Sequence, residues 1–356
     1  MEFHEKDTFL KGRGSQSNPN NKFHQQKFST ENIEGLDEPF IESCATAFLK
    51  ESPKKIISVS NSPDIPFLYS INPYQGCEHG CIYCYARNSH EYWGFSAGLD
   101  FERKILYKPD ATILLEKQFQ NKNYKPQVIM LSGNTDCYQP AERKFKITQS
   151  LLKVFLKYKH PVSIITKNNL ILRDIDLLEE LNKLNLIHVN VSITSLNEEL
   201  RLKLEPRTVT GKGRLKVIEK LAEKGIPIRV MVAPIIPGLN SDEIPTIIKE
   251  AAKAGAQSAS FTIVRLNGAT AAIFKDWIFK AFPDKAEKVL HQIAACHDGN
   301  LNDSRWGKRM AGDGNEAMAI HQLFKLSVKK YMPNQNIKPL SFDHFLKRDK
   351  QLNLFD

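Results

Sequence analysis

The sequence contains no long apolar run and no apolar stretch near its start. A membrane-spanning helix needs about 20 consecutive apolar residues, and no such run is present. The opening residues, MEFHEKDTFLKGRGSQSNPNN, are polar and lack the apolar centre of a secretory signal. We therefore expect a cytoplasmic protein that does not bind a membrane. Internal repeats are also lacking, apart from an alternation of strands and helices.

Cysteine is scarce and unevenly distributed. The chain has 6 cysteines in 356 residues, too few for a disulfide-rich secreted domain. Cys77, Cys81 and Cys84 fall in one short segment, which indicates metal or redox chemistry rather than disulfides. The others are scattered and are expected to be buried as small apolar residues: Cys44, Cys137 and Cys296.

Acidic residues are outnumbered by basic ones. The chain carries 50 Lys and Arg against 40 Asp and Glu, a formal net charge of +10. This excess favours an anionic partner, nucleic acid above all, although a soluble basic protein without such a partner could have the same composition. Lys308 and Arg309, in a Gly-rich stretch, are the residues expected to contact phosphates.

Three regions follow one another along the chain. Residues 1–55 are polar and without periodicity, so we expect a largely disordered tail. Residues 56–270 form the predicted core, 271–338 a helical C-terminal extension, and 339–356 a basic tail. Strands are predicted at 67–71, 128–131, 162–166, 189–193, 228–233 and 259–264, and helices at 110–120, 141–158, 174–184, 215–224 and 243–254.

This alternation predicts an α/β fold with a parallel sheet and helices outside it. Six units could form a partial (β/α)6 TIM-type barrel or an open doubly wound sheet, and the pattern leaves both possible. In either arrangement the chemistry gathers at the carboxyl ends of the strands. Residues directly after each strand are therefore the best candidates for a site.

The clustered cysteines have the spacing C-x3-C-x2-C. Gly76 and Gly80 allow the loop to fold tightly, so that three thiolates can bind one iron–sulfur core. Three ligands on a [4Fe-4S] cluster leave one iron open to a chelating molecule. A zinc site is the alternative, but structural zinc takes four ligands, and His79 lies awkwardly between two of the cysteines.

In this setting the cysteine motif resembles that of the radical S-adenosylmethionine (SAM) superfamily. More narrowly, the chain resembles the spore photoproduct lyase-like branch, within it a bacterial subgroup of unassigned function, over about residues 56–330. The matching segments are NPYQGCEHGCIYCYAR, AGLDFERKILYK, SGNTDCYQPAER, ITKN, LEPRT and APIIPGLN.

The resemblance implies a partial barrel and two cofactors, a [4Fe-4S] cluster and SAM. In the superfamily, the open iron binds the amino and carboxylate groups of SAM, and one electron cleaves SAM to methionine and a 5′-deoxyadenosyl radical. That radical takes a hydrogen atom from the substrate. An electron donor of the flavodoxin or ferredoxin type is implied as well.

The resemblance also assigns SAM-binding roles after the second and third strands. Ser132, Gly133 and Asn134 occupy the place of a Gly-Gly-Glu-like loop that binds the SAM amino group, although the Glu is absent here. Thr135 and Asp136 could extend this site, or Asp136 could merely cap a turn. Lys167 could pair with the SAM carboxylate, its alternative being an ordinary surface lysine.

Further candidates follow the fourth strand and precede the last cysteine. Ser192 and Thr194 could contact SAM, or bond only to backbone. Arg207, in the segment with Glu205, could bridge to SAM or to a substrate phosphate, or form an ion pair that fixes the loop. Tyr83 is expected to pack near the adenine, or against the cysteine loop alone. Pro234, Pro237 and Gly238 would shape the adenine site through backbone geometry.

Two features depart from this core. In spore photoproduct lyases a cysteine returns a hydrogen atom to the product radical. Cys137 lies in that region, a few residues late, and is the candidate catalytic residue. The C-terminal residues Gln351–Phe355 resemble the peptide that docks on the bacterial DNA sliding clamp, although they could equally fold back onto the domain.

Three functions remain open on the sequence. The first is a lyase-like radical SAM enzyme acting on nucleic acid, as in DNA repair. The second is a radical SAM enzyme that modifies a protein or small molecule. The third is a non-catalytic iron–sulfur protein that binds nucleic acid. Cleavage of SAM separates the third from the others, and salt-dependent DNA binding separates the first from the second.

Overall fold

The computed structural model describes residues 9–24, 45–65, 68–334 and 336–346. Its strands are β1 (Ala47–Lys50), β2 (Ile57–Val59), β3 (Tyr69–Ile71), β4 (Tyr74–Gln75), β5 (Lys104–Tyr107), β6 (Ile129–Leu131), β7 (Val162–Thr166), β8 (Ile187–Ser192), β9 (Ile228–Ile235) and β10 (Ser258–Ile263).

The helices alternate with these strands through the core and then follow one another. They are α1 (Leu99–Arg103), α2 (Ala111–Phe119), α3 (Ala141–Phe145), α4 (Ile147–Tyr158), α5 (Ile175–Lys183), α6 (Glu198–Leu204), α7 (Gly211–Glu223), α8 (Ile244–Lys253), α9 (Ala269–Ala281), α10 (Ala286–Ala295) and α11 (Gly314–Tyr331). None of the helices in the described ranges is long and apolar enough to cross a membrane.

The central sheet has seven strands in the order β10-β9-β8-β7-β6-β3-β2. All neighbours pair in parallel except β2, which lies antiparallel at the edge. One row of fully buried residues crosses five strands in register: Ile71, Leu131, Ile164, Val189 and Ile228. Such β-branched and leucine side chains pack well between a parallel sheet and its helices.

The strand order decides between the two arrangements that the sequence leaves open. The parallel strands lie beside one another in chain order, without the reversal of a doubly wound sheet. The predicted α/β fold with a partial barrel and a helical C-terminal extension is therefore confirmed. Because the strands are parallel, all their carboxyl ends meet at one edge of the sheet.

Several elements differ from the sequence prediction in their details. The helix predicted at 141–158 is divided into α3 and α4 at Lys146, whose φ of 52° lies in the left-handed region. The Glu142 carboxylate accepts a hydrogen bond from the Thr148 backbone N–H (2.9 Å), which caps the second helix. A second, three-stranded sheet, β1-β5-β4, was not predicted, because strands this short leave little periodicity in a sequence.

Part of the predicted N-terminal tail is packed. Residues 9–24 lie across the cysteine loop, and Ser15 is fully buried. The backbone N–H groups of Gly14 and Ser15 both donate to the Glu102 carboxylate, at 3.2 and 2.8 Å. The prediction of a disordered tail is wrong for these residues, because hydrogen bonds rather than an apolar face hold the segment in place.

The last described residues pack just before the start of β7. The Phe345 ring meets the His160 ring edge-on, with centroids 5.3 Å apart. The Leu346 backbone N–H donates to the Tyr158 carbonyl (2.9 Å). Cys44, the start of the first predicted strand and the clamp-like peptide Gln351–Phe355 lie outside the described residues.

Candidate active site

The cysteine loop follows β4 and is held by backbone hydrogen bonds on several sides. The Cys77 N–H donates to the Phe101 carbonyl (2.8 Å), and the Ile82 N–H donates to the Leu204 carbonyl (3.0 Å). Gln139 binds the loop twice: its amide nitrogen donates to the Gly76 carbonyl and its oxygen accepts from the Glu78 N–H, both at 3.0 Å. The loop is therefore preorganised by α1, α6 and the segment after β6.

Glycine is required at two positions where the N-terminal segment meets the cysteine loop, Gly80 and Gly14. Gly80 has a φ of 69°, which residues with a side chain rarely adopt. A Cβ on Gly14 would lie 1.7 Å from the Gly80 carbonyl oxygen, so the N-terminal segment touches the loop backbone directly. The segment thus covers the outer side of the cysteine loop.

The three loop thiols fit a cluster that takes three cysteine ligands. Cys77, Cys81 and Cys84 form no disulfide, and Cys77 and Cys81 are 7% and 8% exposed. Burial raises the pKa of Cys77, and the nearby Cys81, Asp136 and Cys84 raise it further. Thiolates gathered in this way are the ligands that iron–sulfur clusters take.

His79 is engaged elsewhere and does not serve as a fourth ligand here. Its Nε2 lies 3.1 Å from the Asn168 side-chain nitrogen, and its Nδ1 lies 3.5 Å from an Asp136 oxygen. Among the described residues, no group of three or more His, Cys, Asp or Glu side chains could hold a single metal ion. The zinc alternative therefore gains no support from His79.

A buried ion pair fixes the loop from behind. The Arg87 guanidinium is fully buried and donates to the carbonyls of Cys81 (3.1 Å), Ala97 (3.2 Å) and Gly98 (3.0 Å). It also binds the buried Glu102 carboxylate at 2.6 Å. Because Glu102 holds the N-terminal segment as well, one ion pair connects three parts of the chain.

Glu205 is the centre of a second buried network. Its carboxylate accepts hydrogen bonds from the Tyr83 hydroxyl, Thr194 (2.7 Å) and the Arg214 guanidinium. The Lys167 ammonium lies 3.7 Å away. Burial alone would raise the pKa of Glu205, but Arg214 and Lys167 lower it well below its usual value, so the carboxylate stays ionised.

This network brings together three of the residues predicted to bind SAM. Tyr83, Lys167 and Thr194 come from the cysteine loop and from the ends of β7 and β8, and all three meet at Glu205. Lys167 remains 16% exposed. Ser192 is buried at the end of β8, and its carbonyl accepts from Arg214 (2.9 Å).

The segment after β6 folds against the end of the cysteine loop. The Gly133 carbonyl accepts a hydrogen bond from the Tyr85 hydroxyl (2.6 Å), and the Asn134 amide donates to Ser89 (2.9 Å). The Ser132 hydroxyl accepts from the Cys137 N–H (2.6 Å). These three predicted SAM residues therefore lie beside the cysteines, with the Ser132 oxygen engaged in its own turn.

Asp136 joins three elements of the site. Its carboxylate accepts hydrogen bonds from the Tyr138 N–H (2.9 Å) and the Lys167 N–H (2.7 Å), and from the Thr166 hydroxyl (2.9 Å). It therefore does more than cap its own turn. It fixes the end of β7, and with it the position of Lys167.

Two predicted residues lie apart from this group. The Arg207 guanidinium is 3.5 Å from Glu78, on the cysteine loop, which matches the alternative of a loop-fixing ion pair. Cys137 is fully buried in the main apolar core, where burial raises the pKa of its thiol. Its use as a hydrogen-atom donor stays a prediction.

Three buried charged residues of the site were not predicted: Arg87, Glu102 and Arg214. For the first two, the sequence contains a signal. Arg87 and Glu102 each lie within a segment that matches the lyase-like branch, NPYQGCEHGCIYCYAR and AGLDFERKILYK. Charged residues inside apolar segments are the ones expected to pair when buried. Arg214 carries no comparable signal, since α7 is rich in exposed lysines.

The sequence profile of the Radical SAM superfamily matches residues 71–251, which is more than half of the chain. The chain belongs to this superfamily and is a radical SAM enzyme, and membership implies SAM and an iron–sulfur cluster as cofactors. An uncharacterized protein of Mycobacterium tuberculosis is 32% identical over 228 residues, 64% of this chain and 67% of the relative. An uncharacterized protein of Methanocaldococcus jannaschii is 29% identical over 246 residues, 69% of this chain and 88% of the relative.

Among solved structures the chain is similar to spore photoproduct lyase. The complex with dinucleoside spore photoproduct aligns with a TM-score of 0.59 and 17% identity, covering 81% of this chain and 80% of the lyase. A mutant with bound AdoMet and dinucleoside spore photoproduct gives a TM-score of 0.58 and 17% identity over 82% of each chain. At this identity the likeness shows a shared fold.

Proposed function

We propose that this radical SAM enzyme acts on nucleic acid, in a lyase-like reaction of the kind used to repair a damaged base. The observation that carries the proposal is the extent of the fold likeness. The similarity to spore photoproduct lyase covers 81% of the chain, more than the superfamily match at 71–251. That lyase structure is a complex with dinucleoside spore photoproduct. The net charge of +10 supports an anionic partner.

In this proposal Cys77, Cys81 and Cys84 hold a [4Fe-4S] cluster. When bound, the cluster and SAM supply an electron and a 5′-deoxyadenosyl radical for hydrogen-atom abstraction. Arg87 and Gln139 orient the loop by binding its backbone. The N-terminal segment, in contact at Gly14, excludes water from the outer side of the loop.

The polar groups at the strand ends would bind SAM. Ser132, Gly133 and Asn134 lie next to the cysteines, and Lys167 offers a cation for the SAM carboxylate. Ser192 and Thr194 complete this edge, while Tyr83 is fixed by its bond to Glu205. Glu205 would orient the Lys167 side chain until an anionic group binds it.

Two protein partners belong to the same proposal. A reduced flavodoxin or ferredoxin would supply the electron, in the cytoplasm. The peptide Gln351–Phe355 would dock on the DNA sliding clamp, which would bring the enzyme to DNA. Pull-down of purified clamp by the full chain, and its loss on deletion of residues 351–356, tests the second contact.

Anaerobic reconstitution with iron and sulfide tests the enzyme. We expect a cluster absorption band near that of other [4Fe-4S] proteins, lost in the Cys77→Ala/Cys81→Ala/Cys84→Ala variant. Cys296→Ala is the matched control, because it removes a buried thiol outside the loop. Formation of 5′-deoxyadenosine should rise when damaged DNA is added. If DNA neither binds in a salt-dependent way nor changes this yield, the nucleic-acid proposal is wrong.

A further inference from the structure

The loop between α10 and α11 presents an exposed tryptophan beside an arginine. Trp306 is 58% exposed, and the Arg309 guanidinium lies 4.1 Å from the centre of its ring. The Arg309 Nε donates to the Asp64 carboxylate at 2.6 Å, and the Gly307 N–H donates to its other oxygen, also at 2.6 Å. Asp64 thus fixes both the arginine and the loop, and Arg309 braces the indole ring.

These contacts change the expected roles of the basic residues in this loop. Arg309 is neutralised by Asp64, and Lys308 forms an ion pair with Asp313. Both cations already have carboxylate partners within the chain. The sequence prediction that Lys308 and Arg309 contact phosphates is therefore not supported by their contacts.

Arg265 is a cation of a different kind. It lies two residues after β10, at the carboxyl edge of the sheet, and is partly buried. Within the described ranges it has no hydrogen bond or ion pair, since nearby Asp64 is bound to Arg309. Burial lowers the pKa of Arg265 and Arg309 lowers it further, whereas Tyr85 and Asp64 raise it.

Backbone contacts bring Arg265 and the tryptophan loop to the same place. The Ile263 N–H donates to the Met310 carbonyl (3.0 Å), and the Leu266 N–H donates to the Leu301 carbonyl (2.8 Å). Arg265 lies between the two donors in the chain, and Trp306 and Arg309 lie between the two acceptors. The cation and the indole ring are therefore held on a common framework.

The same framework reaches the cysteine loop. The Asn88 amide donates to the Asn267 carbonyl (2.8 Å), and its oxygen accepts from the Ala269 N–H (2.9 Å). The Thr270 hydroxyl donates to the Cys84 carbonyl (3.4 Å). Arg265 lies just before Asn267 in the chain, so this segment borders the candidate active site.

We infer that Arg265 and Trp306 bind an unpaired nucleotide of a nucleic-acid strand, Arg265 its phosphate and Trp306 its base. The inference rests on the proposed function and names the contacts that would bring the strand to the cysteines. An exposed indole can stack on a base only when that base is free of its own neighbours, as in single strands and flipped nucleotides. A guanidinium suits phosphate, because its fork of N–H groups matches two oxygens.

The two contacts have separable signatures. Loss of a phosphate contact makes the salt dependence of single-strand binding less steep, by about 0.7 in the slope of log K against log salt. Loss of stacking leaves that slope unchanged but weakens binding roughly tenfold. Arg265→Gln should therefore lower the slope, and Trp306→Ala should lower affinity at every salt concentration.

The experiment uses the full chain, a fluorescein-labelled single-stranded thymidine oligonucleotide and a salt titration. Trp306→Phe keeps an aromatic ring and should retain most of the affinity. Arg229→Gln is the matched control for charge, since Arg229 lies at the amino end of β9, and Arg265 lies beyond the carboxyl end of β10. It should leave both slope and affinity as in the parent. Thymidine monophosphate is tested as a competitor.

The outcomes separate this inference from the proposed function. If the parent binds no nucleic acid, both fail. If the parent binds but Arg265→Gln and Trp306→Ala bind with the same slope and affinity, this inference is overturned while the proposed function stands. If thymidine monophosphate binds as tightly as the oligonucleotide, the ligand is a free nucleotide and the assignment to a strand is wrong.

Discussion

The buried pair of Arg87 and Glu102 gives the sharpest test of how the cysteine loop is held. The Arg87→Met variant removes the guanidinium but keeps most of the side-chain volume. It leaves the Glu102 carboxylate buried, bound by the Gly14 and Ser15 N–H groups, with the Arg13 guanidinium donating to the Glu102 carbonyl (3.3 Å). It also leaves the carbonyls of Cys81, Ala97 and Gly98 without their donor.

Breaking one side of a buried ion pair destabilises a protein by about 3–5 kcal/mol. For a domain of this size each kcal/mol lowers the melting temperature by about 2 °C, so Arg87→Met should melt about 6–10 °C below the parent. Adding Glu102→Gln to the Arg87→Met variant removes the negative charge that has lost its Arg87 partner. The double variant should therefore recover part of the loss, with a coupling of about 0.5–3 kcal/mol.

Thermal unfolding followed by circular dichroism, on the iron-free chain, measures both effects. Lys216→Met is the matched control, because Lys216 pairs with Glu219 on the surface of α7, with both side chains about half exposed. Exposed pairs of this kind contribute little, so the control should melt close to the parent. An Arg87→Met variant that also melts close to the parent, or a double variant no better than the single one, would show that this ion pair does not hold the loop.

Three further predictions test other contacts. Gly14→Ala should loosen the N-terminal segment, because the added methyl would meet the Gly80 carbonyl, and trypsin should cleave at Lys11 and Arg13 faster than in the parent. Cys137 should resist iodoacetamide at pH 8 in the folded chain, since burial raises the pKa of its thiol, and should react after denaturation; rapid native labelling would contradict its position in the core. Burial lowers the pKa of His160 from 6.5 to about 3, so between these pH values the unfolded chain binds a proton that the folded chain does not. The free energy of unfolding should therefore fall as pH drops below about 6.5, by up to about 1.4 kcal/mol per pH unit. Urea titrations of His160→Gln should show a shallower pH dependence than those of the parent.

The strands of the core could be read from the sequence because burial on both faces leaves continuous apolar runs. Val162–Thr166 agrees with its predicted bounds, and Ile228–Ile235 extends two residues further. The break at Lys146 could not be predicted, since the surrounding residues keep helical periodicity and the break depends on Glu142 capping the second helix. The local sequence pattern therefore predicts that these elements exist, whereas tertiary contacts determine the residues at which they begin and end.

The candidate site was predictable to the extent that its residues follow strands. Lys167 and Thr194 could be selected by position alone, and both lie in the Glu205 network. Their partners could not be selected, because Arg214 lies on a helix whose other cations are exposed. Arg265 also follows a strand, but the sequence does not distinguish it from other cations. What distinguishes it is that nearby Asp64 is bound to Arg309 and not to Arg265.

The contact made by Asn88 joins two segments that follow different strands of the protein. In the described sheet, β10 lies at one edge and β2 at the other, so the ring of strands is not continuous. The segments that follow β4 and β10 nevertheless meet, through the amide of Asn88 and the backbone of Asn267 and Ala269. Opening this contact would break side-chain hydrogen bonds of Asn88 and leave the hydrogen bonds between the strands of the sheet intact.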